Sequence, residues 1–160
     1  FDTSYHYSSE TENYPASGIT FEQAKKYCKW LSKLTGKHYR LPFVKEAEML
    51  IKRAKSNMDN ENSLDYWAGY SITPDDAVML RPKIEELEKS GTLLKPVGSF
   101  KPIGKNNVYD LGGNVAEWCI SENGEGKTMG ISAVTPKDPK SVYYPPAAKY
   151  VGFRVILTNK

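Results

Sequence analysis

An α+β domain with much irregular backbone is the fold class that the sequence predicts. Two stretches of helical periodicity, only short strand signals, and long connections rich in Gly, Asn, Pro and Tyr predict it. A chain of 160 residues is long enough for one domain with a sizeable core. Its 39% apolar and 26% charged residues suit a soluble globule, and 11 Tyr with 3 Trp favour a folded domain over disorder. The net charge of +3 comes from 22 basic residues interspersed among 19 acidic ones. That leaves no basic stripe, and no nucleic-acid partner is expected.

Residues 1–17 are polar and Tyr-rich without periodicity, and read as an irregular arm. Thr20 opens the clearest helix. Thr20 and Gln23 form a capping box, Ala24, Tyr27, Cys28, Leu31 and Leu34 fall at helical spacing, and Gly36 suits a C-cap. His38 to Pro42 reads as extended, because Pro42 disfavours helix at Leu41. A second helix is expected over Phe43 to Ser56, with Val44, Ala47, Leu50, Ile51 and Ala54 on its inner face.

Leu64 to Tyr70 reads as an aromatic strand or buried turn. Residues 73–91 read as a helical insertion: Thr73 and Pro74 start a helix, Pro82 interrupts it, and Ile84 to Lys89 makes a second short one. Leu93 to Phe100 is expected to be extended. Met129 to Val134 is a predicted strand, and Tyr150 to Leu157 a final alternating one. Cys28 and Cys119 form no metal or CxxC pattern and read as unpaired. No apolar run approaches the roughly 18 residues of a membrane span. A start at Phe1 suggests an excised domain or processed product.

Val108 to Trp118 is the densest stretch. It sets Gly112, Gly113 and Asn114 between Asp110 and Glu117, inside an apolar frame. Gly and Asn there mark a tight bend, and the flanking carboxylates could hold an oxygen-seeking cation. The alternative is that Asp110 caps the turn while Glu117 pairs with a basic side chain.

Three segments in order resemble the formylglycine-generating enzyme, or sulfatase-modifying factor, family. The first is Tyr27-Cys28-Lys29-Trp30-Leu31, continuing through Arg40-Leu41-Pro42 to Glu46 and Glu48. The second runs from Val97-Gly98-Ser99-Phe100 to the stretch ending at Trp118, and the third is Gly152-Phe153-Arg154-Val155. The resemblance implies an irregular α+β fold related to C-type lectins, with two main helices and short antiparallel strands, and an extracytoplasmic setting. The family's usual N-terminal strands find no counterpart here. It also implies a structural calcium site at Asp110, Glu117 and the carbonyls of Gly113 and Val115. Asp65 and Tyr66, with Asp75 or Asp76, fall near a second calcium loop, although helix capping explains Asp75 and Asp76. Arg40, Glu46, Arg154 and Trp118 are implied as structural ties.

Departures from the pattern bear on function. The family's oxidases carry a copper-binding cysteine pair before Gly-Phe-Arg, whereas Lys127 to Tyr150 holds no cysteine. Neither Tyr nor Lys replaces thiolate as a copper(I) ligand, so no copper and no catalytic residue are expected. His6 and His38 are too few for the three-His iron site of related sulfoxide synthases. Cys119 could be a reactive thiol, but no His is placed beside it, so an inert role is favoured. Tyr66, Trp67, Tyr70, Tyr143 and Tyr144 could line a ligand groove, although core packing explains Trp67 as well.

The expected function is therefore a non-catalytic binding or structural module inside a larger protein. Its partners would be other domains of that protein and an unspecified protein or glycan ligand. The rivals are an oxidoreductase completed by another domain and a lectin-like sugar-binding module.

Overall fold

The computed structural model describes residues 12–56, 61–103, 107–138, 140 and 146–158. Helix α1 (Phe21–Thr35) begins at the Thr20 capping box. The Thr20 hydroxyl accepts from the Gln23 amide at 3.2 Å, and the Gln23 side chain accepts from the Thr20 amide at 2.8 Å. Gly36, at φ 67°, ends the helix in the left-handed conformation that glycine adopts without a Cβ clash. Ala24 and Cys28 of α1 pack with Leu41, and Ile19, Phe21, Trp118, Ile120, Phe153 and Val155 close that cluster. Strand β1 (His38–Arg40) follows, then α2 (Val44–Ser56), where Glu46 caps by accepting from the Phe43 amide at 2.7 Å.

The chain is α+β, but among the described residues it has four main helices rather than the two expected, and no closed or curled sheet of the kind a lectin-like fold implies. The third helix, α3 (Leu64–Ala68), replaces the predicted aromatic strand or turn. Ser63 caps its start and Gly69, at φ 78°, its end, so local capping outweighs the β-propensity of Tyr66 and Trp67. The fourth, α4 (Pro74–Lys89), runs through Pro82 without the expected break. Pro82 has no amide to offer the Val78 carbonyl, and Thr73, Asp76 and Pro74 secure the start. Ile84 and Leu87 of α4 pack on the second core cluster, made of Leu93, Leu94, Val115, Ala133 and Tyr150.

Strands β2 (Ala116–Ile120), β3 (Gly126–Met129), β4 (Val151–Gly152) and β5 (Ile156–Thr158) complete the elements. One sheet has the order β3-β2-β4, antiparallel on one side of β2 and parallel on the other. The second pairs β1 with β5 antiparallel, Tyr39 opposite Leu157. The strand predicted over Met129 to Val134 lies earlier, because residues 132–135 turn instead, with the Thr135 amide bonded to the Ser132 carbonyl at 3.0 Å. The predicted final strand is split. Ala148–Tyr150 form a 3-10 turn, β4 joins β2, and β5 joins β1 after an irregular stretch at residues 153–155. Each cysteine is buried and free.

Gly113 packs so closely that a Cβ there would run into the backbone carbonyl of Asn62, whereas one at Gly112 would meet only the Glu61 carboxylate, at 3.0 Å. Gly113→Ala should therefore cost roughly 1–3 kcal/mol in urea unfolding, as overpacking against fixed atoms does. Gly112→Ala should cost clearly less, because a side chain can move aside. Equal losses would contradict this packing.

Candidate functional site

The loop before β2 is built by two residues in the left-handed region, Asp110 at φ 55° and Asn114 at φ 72°. Asn and Asp tolerate that conformation better than other side-chain-bearing residues. Asp110 accepts from the Gly98 amide at 3.0 Å, and Glu61 accepts from the Gly112 amide at 2.6 Å. Asn114 is fully engaged. Its side-chain oxygen accepts from Asn62 at 2.8 Å and from the Lys95 amide at 3.0 Å, while its amide group donates to the Lys95 carbonyl at 3.0 Å. Its backbone amide donates to the Asn62 carbonyl at 2.7 Å, and its carbonyl accepts from Ala133 at 3.0 Å. Both Asn side chains are about 99% buried, where only complete pairing makes them tolerable.

Glu117 follows on β2 and is forked by Arg154, from Nε at 2.5 Å and Nη2 at 2.8 Å. Arg154 Nη2 also reaches the Tyr109 carbonyl at 3.3 Å. Burial pushes the Glu61 carboxyl above the usual carboxylate range and the Asp110 charge adds to it, although the Gly112 amide pulls the other way. Burial likewise raises Asp110, against the Gly98 amide and the Arg154 charge. Three carboxylates thus surround one guanidinium.

This arrangement does not present a ready calcium shell. Both Glu117 oxygens receive Arg154, the Gly113 carbonyl accepts from the Val115 amide at 3.1 Å, and one Asp110 oxygen receives Gly98. Among the described residues, no group of three or more His, Cys, Asp or Glu side chains gathers where it could hold a metal ion. At the second loop, Asp65 accepts from the Ile72 amide at 2.9 Å and the Lys137 amide at 2.8 Å, and Asp76 accepts from the Thr73 amide at 3.0 Å and its hydroxyl at 2.6 Å. Cys119 is 0% exposed and lines a small cavity with Arg154, Met129 and Leu50. Burial, then the charge of Glu117, pushes its thiol up to about 12, which keeps it protonated and unreactive at neutral pH.

Arg40 forks to Glu46 at 2.6 and 2.8 Å, bonds the Leu41 carbonyl at 3.1 Å, and lies over the Phe43 ring. Glu46 is held below its usual range, chiefly by Arg40. Trp118 donates from Nε1 to the Ile19 carbonyl at 2.8 Å and packs on Phe21. These two sets tie β1 to α2 and β2 to the approach of α1.

Tyr66 and Trp67 of α3 meet edge to face at 5.7 Å, and Phe100 meets Tyr66 the same way at 5.3 Å. Tyr66 and Trp67 are each 38% exposed and Tyr70 50%, so this aromatic group lies at the surface. Tyr143 and Tyr144 lie outside the described residues. Glu61, Asn62, Lys95 and Phe100 escaped the sequence reading of the site. Only the polar run before Leu64 hinted at the first two, and its residues look like an ordinary loop.

A raised carboxyl is better protonated in the folded chain than in the unfolded one, so protonation stabilises the fold. Stability contributed by Glu61 and Asp110 should rise as pH falls from 7 through their raised folded values, down to the ordinary range near about 4. Glu46, held low, opposes this only below that range. Glu61→Gln keeps an acceptor for Gly112 and should flatten this rise in a melting-temperature series from pH 7 to 5. An unchanged pH slope would contradict the assignment.

A family model described as the Sulfatase-modifying factor enzyme 1-like domain matches residues 2–158. A bovine protein (Bos taurus) named Inactive C-alpha-formylglycine-generating enzyme 2 is 27% identical over 120 residues, covering 71% of this chain and 35% of that protein. Among solved structures, PvdO from Pseudomonas aeruginosa superposes with a TM-score of 0.50 at 24% identity, over 89% of this chain and 61% of that one. The likeness to PvdO concerns the fold alone. The chain thus spans about a third of the bovine relative's length, and among the described residues no helix is long and apolar enough to cross a membrane. The match over residues 2–158 places this chain in the sulfatase-modifying-factor family.

Proposed function

We propose that the chain is a non-catalytic binding or structural module of a larger protein in an extracytoplasmic setting. The observation that carries this reading is the fate of the thiols. The stretch Lys127 to Tyr150, where the family's oxidases hold their copper pair, has no cysteine. Both cysteines of the chain are buried, and Cys119 is held as a protonated thiol. The bovine relative's name, which calls it inactive, supports the same reading. The motif around Gly112 to Glu117 serves packing here, since Gly112 bonds Glu61, Asn114 bonds Asn62 and Lys95, and Glu117 is forked by Arg154. Purified protein supplied with copper(I) and a cysteine-containing peptide should consume no oxygen above the copper-only control. Copper-dependent oxygen uptake that requires both protein and peptide would overturn the reading.

Calcium at Asp110, Gly113, Val115 and Glu117 is a separate proposal, taken from the resemblance, and it requires Arg154 to give up at least one Glu117 oxygen. Glu117→Gln removes the charge partner of a largely buried guanidinium and should lower stability by about 2–4 kcal/mol with or without the ion. Melting temperature measured in calcium and in chelator separates the roles. A calcium-dependent rise in the parent that is lost in Glu117→Gln supports the ion; equal melting assigns Glu117 to Arg154 alone.

A further inference from the structure

We propose that the surface formed by Tyr66, Trp67 and Phe100 docks an acidic, aromatic-bearing protein segment, with Lys95 receiving its carboxylate. The inference rests on the reading of the chain as a binding module and names the chemistry of the partner. Lys95 Nζ sits 5.3 Å from the centre of the Tyr66 ring and 5.0 Å from that of Trp67. Its residue is half-buried, and among the described residues no carboxylate pairs with it, as is also true of Lys101; what sets Lys95 apart is its place over two aromatic rings. Asp65, the acid within α3, has its oxygens on the amides of Ile72 and Lys137. An ammonium over two half-exposed rings, with no carboxylate beside it among the described residues, is complementary to a carboxylate flanked by apolar or aromatic groups.

The surface is also rigid. The Lys95 backbone exchanges two hydrogen bonds with Asn114, and Trp67 Nε1 donates to Asn62 at 2.8 Å. Both anchors are thereby fixed by the buried Asn pair, which reduces the ordering cost of binding. A peptide fits better than a sugar. A pyranose needs an open ring face to stack on, and here Lys95 lies over Tyr66 and Trp67, while Phe100 meets Tyr66 edge to face. Half-exposed rings suit Tyr, Phe or Leu side chains, and Tyr and Trp are enriched in protein interfaces.

The test is fluorescence polarisation of a labelled random Glu/Tyr copolymer titrated with the 160-residue chain. Saturable binding is expected, weakened roughly tenfold or more by Lys95→Gln and by Tyr66→Ala, largely restored in Lys95→Arg, and changed less than about twofold by Lys101→Gln. Should Lys95→Gln fail to fold, Lys95→Arg and Tyr66→Ala carry the comparison. Absence of saturable binding overturns the inference, as do equal losses in Lys95→Gln and Lys101→Gln. Tighter binding of polygalacturonate through the same residues overturns it in favour of an anionic glycan. None of these outcomes involves oxygen uptake, so the non-catalytic reading stands or falls separately.

Discussion

The structure depends on the exchange between Asn62 and Asn114. Two buried carboxamides, the backbone of residues 93–95, the Asn62 carbonyl and the Ala133 amide form one closed set of hydrogen bonds. Each partner comes from a segment without regular structure of its own. An irregular domain cannot satisfy its backbone through helices and ladders alone, and an unpaired buried amide or carbonyl costs about 1–3 kcal/mol. Asn114 meets that demand from the left-handed region, and Gly113 lets the two chains approach. The Gly-Gly-Asn signature is therefore a splice between segments far apart in sequence.

The neighbouring charges follow the same logic. Arg154, from the irregular stretch between β4 and β5, forks Glu117 on β2, which links the two sheets. Arg40 and Glu46 do the same for β1 and α2. The residues that look most chemical in the sequence are spent on architecture. The one thiol beside them, Cys119, is sealed in the core. At the surface, the aromatic group of α3 with Lys95 over it is held in place by the same Asn pair.

Much of this was legible in the sequence wherever the signal is local. The Thr20 capping box, Gly36, the second helix and the start at Thr73-Pro74 all follow from side chains within a few residues of the element they set. Leu64 to Ala68 has strand-like aromatics, but Ser63 and Gly69 supply a cap at each end, and capping decided the matter. The Pro82 break did not occur because the helix start is firmly capped and Ile84 and Leu87 are packed on the core. The final alternating run divided between two sheets because Arg154 is drawn to Glu117. The roles of Glu61, Asn62 and Lys95 depend on partners about 19 to 52 positions away, and one sequence carries no mark of such pairing.

The central claim is that Asn62 and Asn114 act as one unit on which the irregular segments depend. A double-mutant cycle in urea, using Asn62→Ala, Asn114→Ala and the double variant, tests it most directly. Once either carboxamide is gone, the remaining one is already deprived of its partner, so the second substitution should add little. A coupling energy of about 1–3 kcal/mol is the predicted result. Strict additivity of the two single losses would contradict the account.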